Sequence, residues 1–334
     1  MNDITDVFNG YEKAPLIELP GFQPSENSKS IYIKSPDSKK QRVVLWNTES
    51  NKGTIILQSG RTEFIEKYYE VIDEFVSRGY CVASMDWRGQ GLSERTARNE
   101  RLGHIDKFSE YDADFDNLLI ILDSICPKPW IGFGHSMGGC LIASHFLKND
   151  KILSGIILCA PMLSVKIPAP MKIITRFLGN LSKLGFRDFA LNKPSWNDEL
   201  GWLEEPFNEN QLTSDENRFN RTFQLIKKHD KLAVKGISIG WAHEAILRTE
   251  AFAKGSYYSD SQKPILLLNA TQDKLVSPTA NLDILSSYKN LTVKNIDCKH
   301  EIFMEVDKFR EDAWKSVDQY LETFDLQLGA TDSI

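Results

Sequence analysis

Three residues have the types and the chain order that nucleophilic catalysis requires: Ser136, Asp273 and His300. A serine hydroxyl is inert at neutral pH until a base takes its proton, and the base works when an acid orients it. Ser136 stands at the centre of Gly134-His-Ser-Met-Gly138, a G-x-S-x-G pattern. A chain that reverses there from strand to helix strains its central residue and crowds the positions two either side. Glycine at 134 and 138 removes that crowding. The hydroxyl is left exposed beside a helix N-terminus, whose amides can hold an anion. The rival reading of the same five residues is a glycine-rich turn with an incidental serine.

The surrounding chain supplies the elements. Residues 130–133 form an apolar run that reads as a buried strand, and 137–147 have helical spacing. Residues 53–58, 80–85, 154–160, 263–268 and 291–296 read as further strands, and 31–35 with 42–47 as a hairpin. Helices are expected over 68–78, stopping at Gly79, over about 108–125, and from 302 to about 324. Strands alternating with helices imply parallel β-α-β units, right-handed crossovers and helices on both faces of the sheet. From 161 to about 262 the alternation stops, and helical apolar stretches with Trp196, Trp202 and Trp241 take over. The expected plan is an α/β core of residues 26–160 and 263–334, a helical cap over 161–262, and a polar surface lead-in over 1–25.

On that plan Asp273 follows the strand at 263–268 and His300 the strand at 291–296. Both lie beyond carboxyl strand ends, where such sheets place chemistry. Each has a rival role: Asp273 as a cap for a helix starting near Pro278, His300 as a cap for the final helix. The other histidines fit worse as the base. His135 is fixed in the elbow, His145 lies along the next helix, His229 and His243 are in the insertion, and His104 is in a mid-chain loop. The loop after 154–160 holds Pro161-Met-Leu163 and no carboxylate, which favours Asp273 as the acid. The developing oxyanion needs two fixed amides. Met137 N–H follows the nucleophile directly, and Arg61 N–H is the candidate from the loop after 53–58.

Composition bounds the function. Of 334 residues 41% are apolar, enough for a large core, and the net charge of −6 argues against a general nucleic-acid binder. Cys81, Cys140 and Cys159 fall in apolar runs and read as reduced core residues, with no disulfide or metal-ligand spacing. No metal and no cofactor is expected. The first residues carry acids where a secretory signal needs bases, and no apolar run reaches the ~18 residues of a membrane span. A cytoplasmic protein is expected.

Several stretches then carry a family resemblance. They are Ser59-Gly-Arg-Thr-Glu63 with Lys67-Tyr68, Asp86-Trp-Arg-Gly-Gln-Gly-Leu-Ser93, residues 102–108 with Tyr111, residues 134–139, Ala160-Pro-Met162 and residues 300–305. Together, across about residues 42–325, they resemble the serine lysophospholipase and monoacylglycerol lipase group of the α/β-hydrolase superfamily, most of all the bacterial lysophospholipase L2 type. The resemblance implies a mostly parallel central sheet, helices on both faces and a helical cap insertion. It also implies a Ser-His-Asp triad in the order seen here. Two departures stand out. The group usually has His-Gly where this chain has Ser59-Gly60, and commonly has His where this chain has Trp87. Asp86, Arg88 and Ser93 read as a hydrogen-bonded Asp–Arg turn that braces the site. Gly60 and Glu63 read as positioning the 59–63 loop.

Residues 162–187 contain Lys166, Lys172, Arg176, Lys183 and Arg187 and no acidic residue. Met171, Ile174, Phe177, Leu178, Leu181 and Leu184 are interleaved at helical spacing. Such a segment suits peripheral docking to an anionic surface at the inner face of a membrane, or receipt of a lipid with a phosphate head. The plainer reading is a helix that packs its apolar face on the domain. Trp202, Trp241 and His243 are expected either to line an acyl channel or to form the cap's own core. The leading functional expectation is hydrolysis of carboxylic esters of single-chain lipids, lysophospholipid or monoacylglycerol, through an acyl-enzyme. The alternatives are a generic short-chain esterase or thioesterase, and a non-catalytic α/β-hydrolase that binds a ligand.

Overall fold

A computed structural model describes residues 8, 10–149, 151–181, 185–191, 206–257 and 260–331. Lys183, Leu184, Trp196 and Trp202 lie outside the described residues. Among those described, nine strands form one sheet: β1 Glu12–Lys13, β2 Lys29–Lys34, β3 Lys40–Trp46, β4 Thr54–Gln58, β5 Cys81–Met85, β6 Trp130–His135, β7 Gly155–Cys159, β8 Ile265–Ala270 and β9 Leu291–Ile296. Their order is β1-β2-β3-β5-β4-β6-β7-β8-β9. The pairings from β1 to β5 are antiparallel, and those from β5 through β9 are parallel.

Among the described residues, helices outside the β7–β8 connection are α1 Tyr69–Ser77, α2 Phe108–Leu122, α3 Met137–Lys148, α7 Pro278–Leu285 and α8 Asp307–Thr331. Alternate strand residues face opposite sides of a sheet. In β4, Ile56 joins the core that holds Leu118 and Ile142, while Ile55 and Leu57 join the core that holds Phe75 and Val317. With both faces covered, β4, β6 and β7 are buried along their whole length, as a parallel sheet between helices requires. This is the α/β-hydrolase fold.

Between β7 and β8 the described chain is helical: α4 Ala169–Leu181, α5 Glu216–Lys228 and α6 Ile239–Ala253, with short 3-10 turns. Side chains that compete for backbone amides start two of these helices. Asp215 accepts from Arg218 N and Ser238 accepts from Trp241 N. The outward face of α4 departs from the packed-helix reading. Met171, Ile173, Ile174 and Phe177 are 44%, 68%, 49% and 63% exposed. The buried side of α4 is instead its small and polar one, Thr175 and Gly179. A Cβ on Gly179 would lie 2.2 Å from His243 Nδ1 of α6, so the helices meet where a side chain is missing.

The N-terminal segment is held more firmly than its polar composition implies. β1 extends the sheet, and Ile17 is buried with Phe64 and Leu225. Ile17 N donates to Glu66 Oε1 at 3.2 Å, and Arg42 Nη1 donates to Pro15 O at 3.0 Å.

Candidate active site

The elbow is built from local sterics. Ser136 has φ 49° and ψ −113°, in the left-handed region that an L-residue enters only under constraint. Such a conformation costs about 1–3 kcal/mol and persists where the surroundings over-determine it. The surroundings here leave no room for side chains. A Cβ on Gly134 would lie 2.6 Å from the Gly139 backbone, and one on Gly138 would lie 2.3 Å from Gln58 O. Ser136 N donates to Cys159 O at 3.1 Å, and Ser136 O accepts from Met162 N at 2.9 Å. From 130 to 147 every residue is buried except Ser136.

Asp273 and His300 follow β8 and β9, adjacent strands, so their loops meet. His300 Nδ1 and Asp273 Oδ2 are 2.5 Å apart, with both residues buried. Asp273 Oδ1 accepts from Leu275 N and Val276 N at 2.7 and 3.0 Å. Burial opposes the charge of this carboxyl, but the bond to His300 and the two amides hold it below the ordinary carboxylate range. The His300 ring packs at a tilt against His135, the residue before Ser136, with centroids 4.7 Å apart. Among the described residues Ser136 Oγ has no hydrogen-bond partner. Catalytic hydrogen bonds of this kind tighten as substrate is engaged. Lys166 Nζ donates to Asp273 O at 2.5 Å, which ties the chain after β7 to the acid loop.

The 59–63 loop packs against the elbow. A Cβ on Gly60 would lie 3.2 Å from Ser136 Cβ. Gly60 N donates to Glu63 Oε2 at 2.5 Å and Thr62 N to Gln90 Oε1 at 3.1 Å. Arg61 N lies between them and has no intramolecular acceptor among the described residues. Met137 N heads α3, where the first amides have no helical acceptor. Trp87 Nε1 donates to Ser59 O at 3.0 Å, and Gln90 Nε2 donates to Gly60 O at 2.7 Å. Sequence reasoning passes over Gln90. It has no spacing signal, because its partners are backbone atoms thirty residues back.

Below the loop lies a buried charge cluster. Lys67 Nζ is 2.9 Å from Glu63 and 2.5 Å from Glu301. Tyr68 Oη donates to Glu63 Oε2 at 2.7 Å. Burial works against the Glu63 charge, yet Lys67 brings its carboxyl down to about 2. Burial pushes the imidazolium of His135 down to about 4, so that ring is neutral at neutral pH. The sequence signals this cluster only through the Glu63–Lys67 spacing, one helical turn.

Asp86 and Arg88 do not pair with each other. The β3–β5 register sets Val43 opposite Met85 and so carries Arg42 to Asp86, whose Oδ2 accepts from Arg42 Nε at 2.8 Å. Asp86 also accepts from Ile65 N and Leu92 N, bracing two loops. Arg88 turns the other way, to Asp114 of α2 at 2.5 Å and to Asp37. Trp241 stacks under the Arg61 guanidinium at 5.0 Å and beside Phe108. His243 lies against Gly179 and lines a groove with Glu244 and Arg248, a lining that does not include Ser136.

Comparison with known proteins gives the chain a family. A model of the family described as serine aminopeptidase, S33, matches residues 49–307. Lysophospholipase L2 of Escherichia coli (strain K12) is 27% identical over 83% of this chain and 82% of its own length. Phospholipase YtpA of Bacillus subtilis (strain 168) is 28% identical over 83% and 99%. A soluble variant of the monoglyceride lipase of Saccharomyces cerevisiae, solved with a substrate analog, superposes with a TM-score of 0.67 at 19% identity, covering 90% of this chain and 97% of that one. The chain belongs to the serine aminopeptidase S33 family of α/β-hydrolases, in its lysophospholipase and monoacylglycerol lipase group.

Proposed function

We propose that this protein is a carboxylic ester hydrolase that cleaves single-chain lipid esters, lysophospholipid or monoacylglycerol, through Ser136, His300 and Asp273. The observation that carries the reading is the buried Asp273–His300 bond of 2.5 Å set beside a strained, solvent-reached Ser136. His300 takes the Ser136 proton as the hydroxyl attacks the ester carbonyl. Asp273 stabilises the imidazolium that forms. The amides of Met137 and Arg61 hold the tetrahedral oxyanion. His300 then protonates the leaving alcohol, and water, activated by the same ring, releases the acid.

The names of the relatives support the lipid class. So does the exposed face of α4, in the segment read as a cap over residues 161–262. Ile173 and Phe177 on that face suit a peripheral seat on a lipid surface. Among the described residues no helix is long and apolar enough to cross a membrane. Lys166 and Arg176 contribute less to such a contact than their charges imply, because they are engaged by Asp273 O and by Glu250 at 2.9 Å. Among the described residues around the elbow, no uncommitted carboxylate supports the family's peptidase name. An aminopeptidase needs a carboxylate for the substrate ammonium, and Glu63 and Glu301 are both committed to Lys67.

The test is a matched panel with Ser136→Ala as control: lysophosphatidylcholine, lysophosphatidylethanolamine, monoacylglycerol, graded p-nitrophenyl esters and amino-acid p-nitroanilides. Turnover of single-chain lipids is expected. Activity confined to short esters overturns the lipid reading, and failure to label with a fluorophosphonate overturns the hydrolase reading.

A further inference from the structure

The Arg61 side chain is not explained by the chemistry above, which uses only its amide. The guanidinium is half-buried, and its Nη1 donates to Gly236 O at 2.9 Å. Its Cζ lies over the Trp241 ring, and a Cβ on Gly103 would lie 3.3 Å from Nη1. No carboxylate reaches it among the described residues. The buried arginines Arg42, Arg88, Arg248 and Arg310 differ, for each pairs with a carboxylate at 2.5–2.8 Å. Burial without such a partner brings the Arg61 guanidinium down to about 10, so it stays charged at neutral pH. A half-buried cation without a carboxylate keeps donors that an anion can take.

The chain sets the Arg61 backbone beside the nucleophile. Gly60 packs on the Ser136 side chain, and Arg61 is the next residue, about 3.8 Å along the backbone. A lysophospholipid carries its phosphate a three-carbon glycerol span from its acyl ester. The guanidinium has five donors, of which Gly236 takes one, and its flat fork suits two phosphate oxygens. A monoacylglycerol presents a neutral hydroxyl at the same position. We propose that the Arg61 guanidinium is an anion subsite, which receives the phosphate of a lysophospholipid while Ser136 attacks its ester. The proposal rests on the lipid-ester reading and narrows it to phosphate-bearing substrates. The rival account is a clamp, in which Arg61 only ties the 59–63 loop to Gly236 and Trp241.

The experiment compares KM and kcat for lysophosphatidylcholine and for monoacylglycerol of the same acyl chain, in neutral mixed micelles. Wild type, Arg61→Gln and Arg61→Lys are assayed on the full chain, with thermal melting followed by circular dichroism. Both substitutions keep the backbone amide, so any loss at the oxyanion falls on both esters alike. Arg61→Gln is expected to raise KM for lysophosphatidylcholine relative to monoacylglycerol by roughly tenfold to a hundredfold, as a lost charged hydrogen bond does. The kcat ratio should move less, and Arg61→Lys should recover part of the loss. An unchanged ratio overturns the subsite and leaves the clamp.

A second arm reads the site without a lipid substrate, by inhibition of p-nitrophenyl butyrate hydrolysis. Glycerophosphocholine is expected to compete in wild type, more tightly than inorganic phosphate, and to lose potency in Arg61→Gln. The reverse order of the two inhibitors overturns the headgroup assignment, and no inhibition by either overturns the anion site. If wild type cleaves short esters and no lipid, the lipid reading has failed, and this arm still decides the subsite. If Arg61→Gln does not fold, Arg61→Lys and the wild-type inhibitor order decide it.

Discussion

Lys67 Nζ lies 2.5 Å from Glu301, although 234 residues separate them in the chain. That bond joins the loop after β4 to the loop after β9, one residue beyond His300. The same ammonium holds Glu63, and Glu63 holds the Gly60 amide. Lys67→Met leaves two buried carboxylates without their cation, which is expected to cost about 3–5 kcal/mol. Urea denaturation should show that loss, and kcat for a p-nitrophenyl ester should fall as both loops loosen. A variant as stable as wild type would remove the cluster from the account.

Ser136→Ala and His300→Ala are expected to lower kcat by roughly a million-fold, because groups acting as a unit fail together. Asp273→Asn should be severe but milder, roughly 10⁴-fold, since it spoils ring orientation and tautomer while the nucleophile stays. Substantial ester hydrolysis by Ser136→Ala would end the mechanism. A silent Asp273→Asn would end only the acid assignment.

Acid should weaken the protein through two buried groups. The Glu63 carboxyl is held at about 2 against an ordinary 4.5. A depressed carboxyl stabilises the native state above its unfolded value, and this is lost as pH falls toward the folded one. The stability gap between wild type and Glu63→Gln should therefore be constant above about pH 5.5 and narrow from 4.5 down toward 2. His135 works in the same direction, since the unfolded chain takes up its proton near 6.5 and the folded chain only near 4. His135→Gln should lose less stability than wild type between those values. Melting temperature against pH reads both, and a Glu63→Gln gap that widens in acid would contradict the sign.

The exposed face of α4 gives a prediction about surfaces. Ile173→Gln with Phe177→Gln should weaken binding to phospholipid vesicles by more than tenfold, since burying each such side chain is worth about 1.5–3 kcal/mol. Hydrolysis of a short soluble ester should stay near the wild-type rate, while that of lysophospholipid in vesicles falls. If vesicle binding and the ratio of the two activities both hold, α4 does not meet lipid.

The elbow is legible in the sequence because its cause is local. A strand that reverses into a helix within a few residues needs small neighbours around its centre, and Gly134 and Gly138 record that need in two letters. The order of strands and helices, and the break after residue 160, are legible for the same reason, since period and punctuation are properties of short stretches. Asp273 and His300 stand out because each follows a recognisable strand.

What the sequence does not determine is which distant groups meet. Asp86 stands two residues from Arg88 yet binds Arg42, because the β3–β5 register brings that guanidinium across the sheet. Lys67 is visible as a partner of Glu63 but not of Glu301, since nothing in either stretch encodes that two loops will adjoin. The N-terminal segment reads as polar surface and is nonetheless pinned by Arg42 and Glu66. Helical period tells which residues of α4 share a face, but not what that face will meet. Backbone sterics act over a few residues and are written where they act, whereas ion pairs, register and exposure depend on the packing of elements that are strangers in sequence.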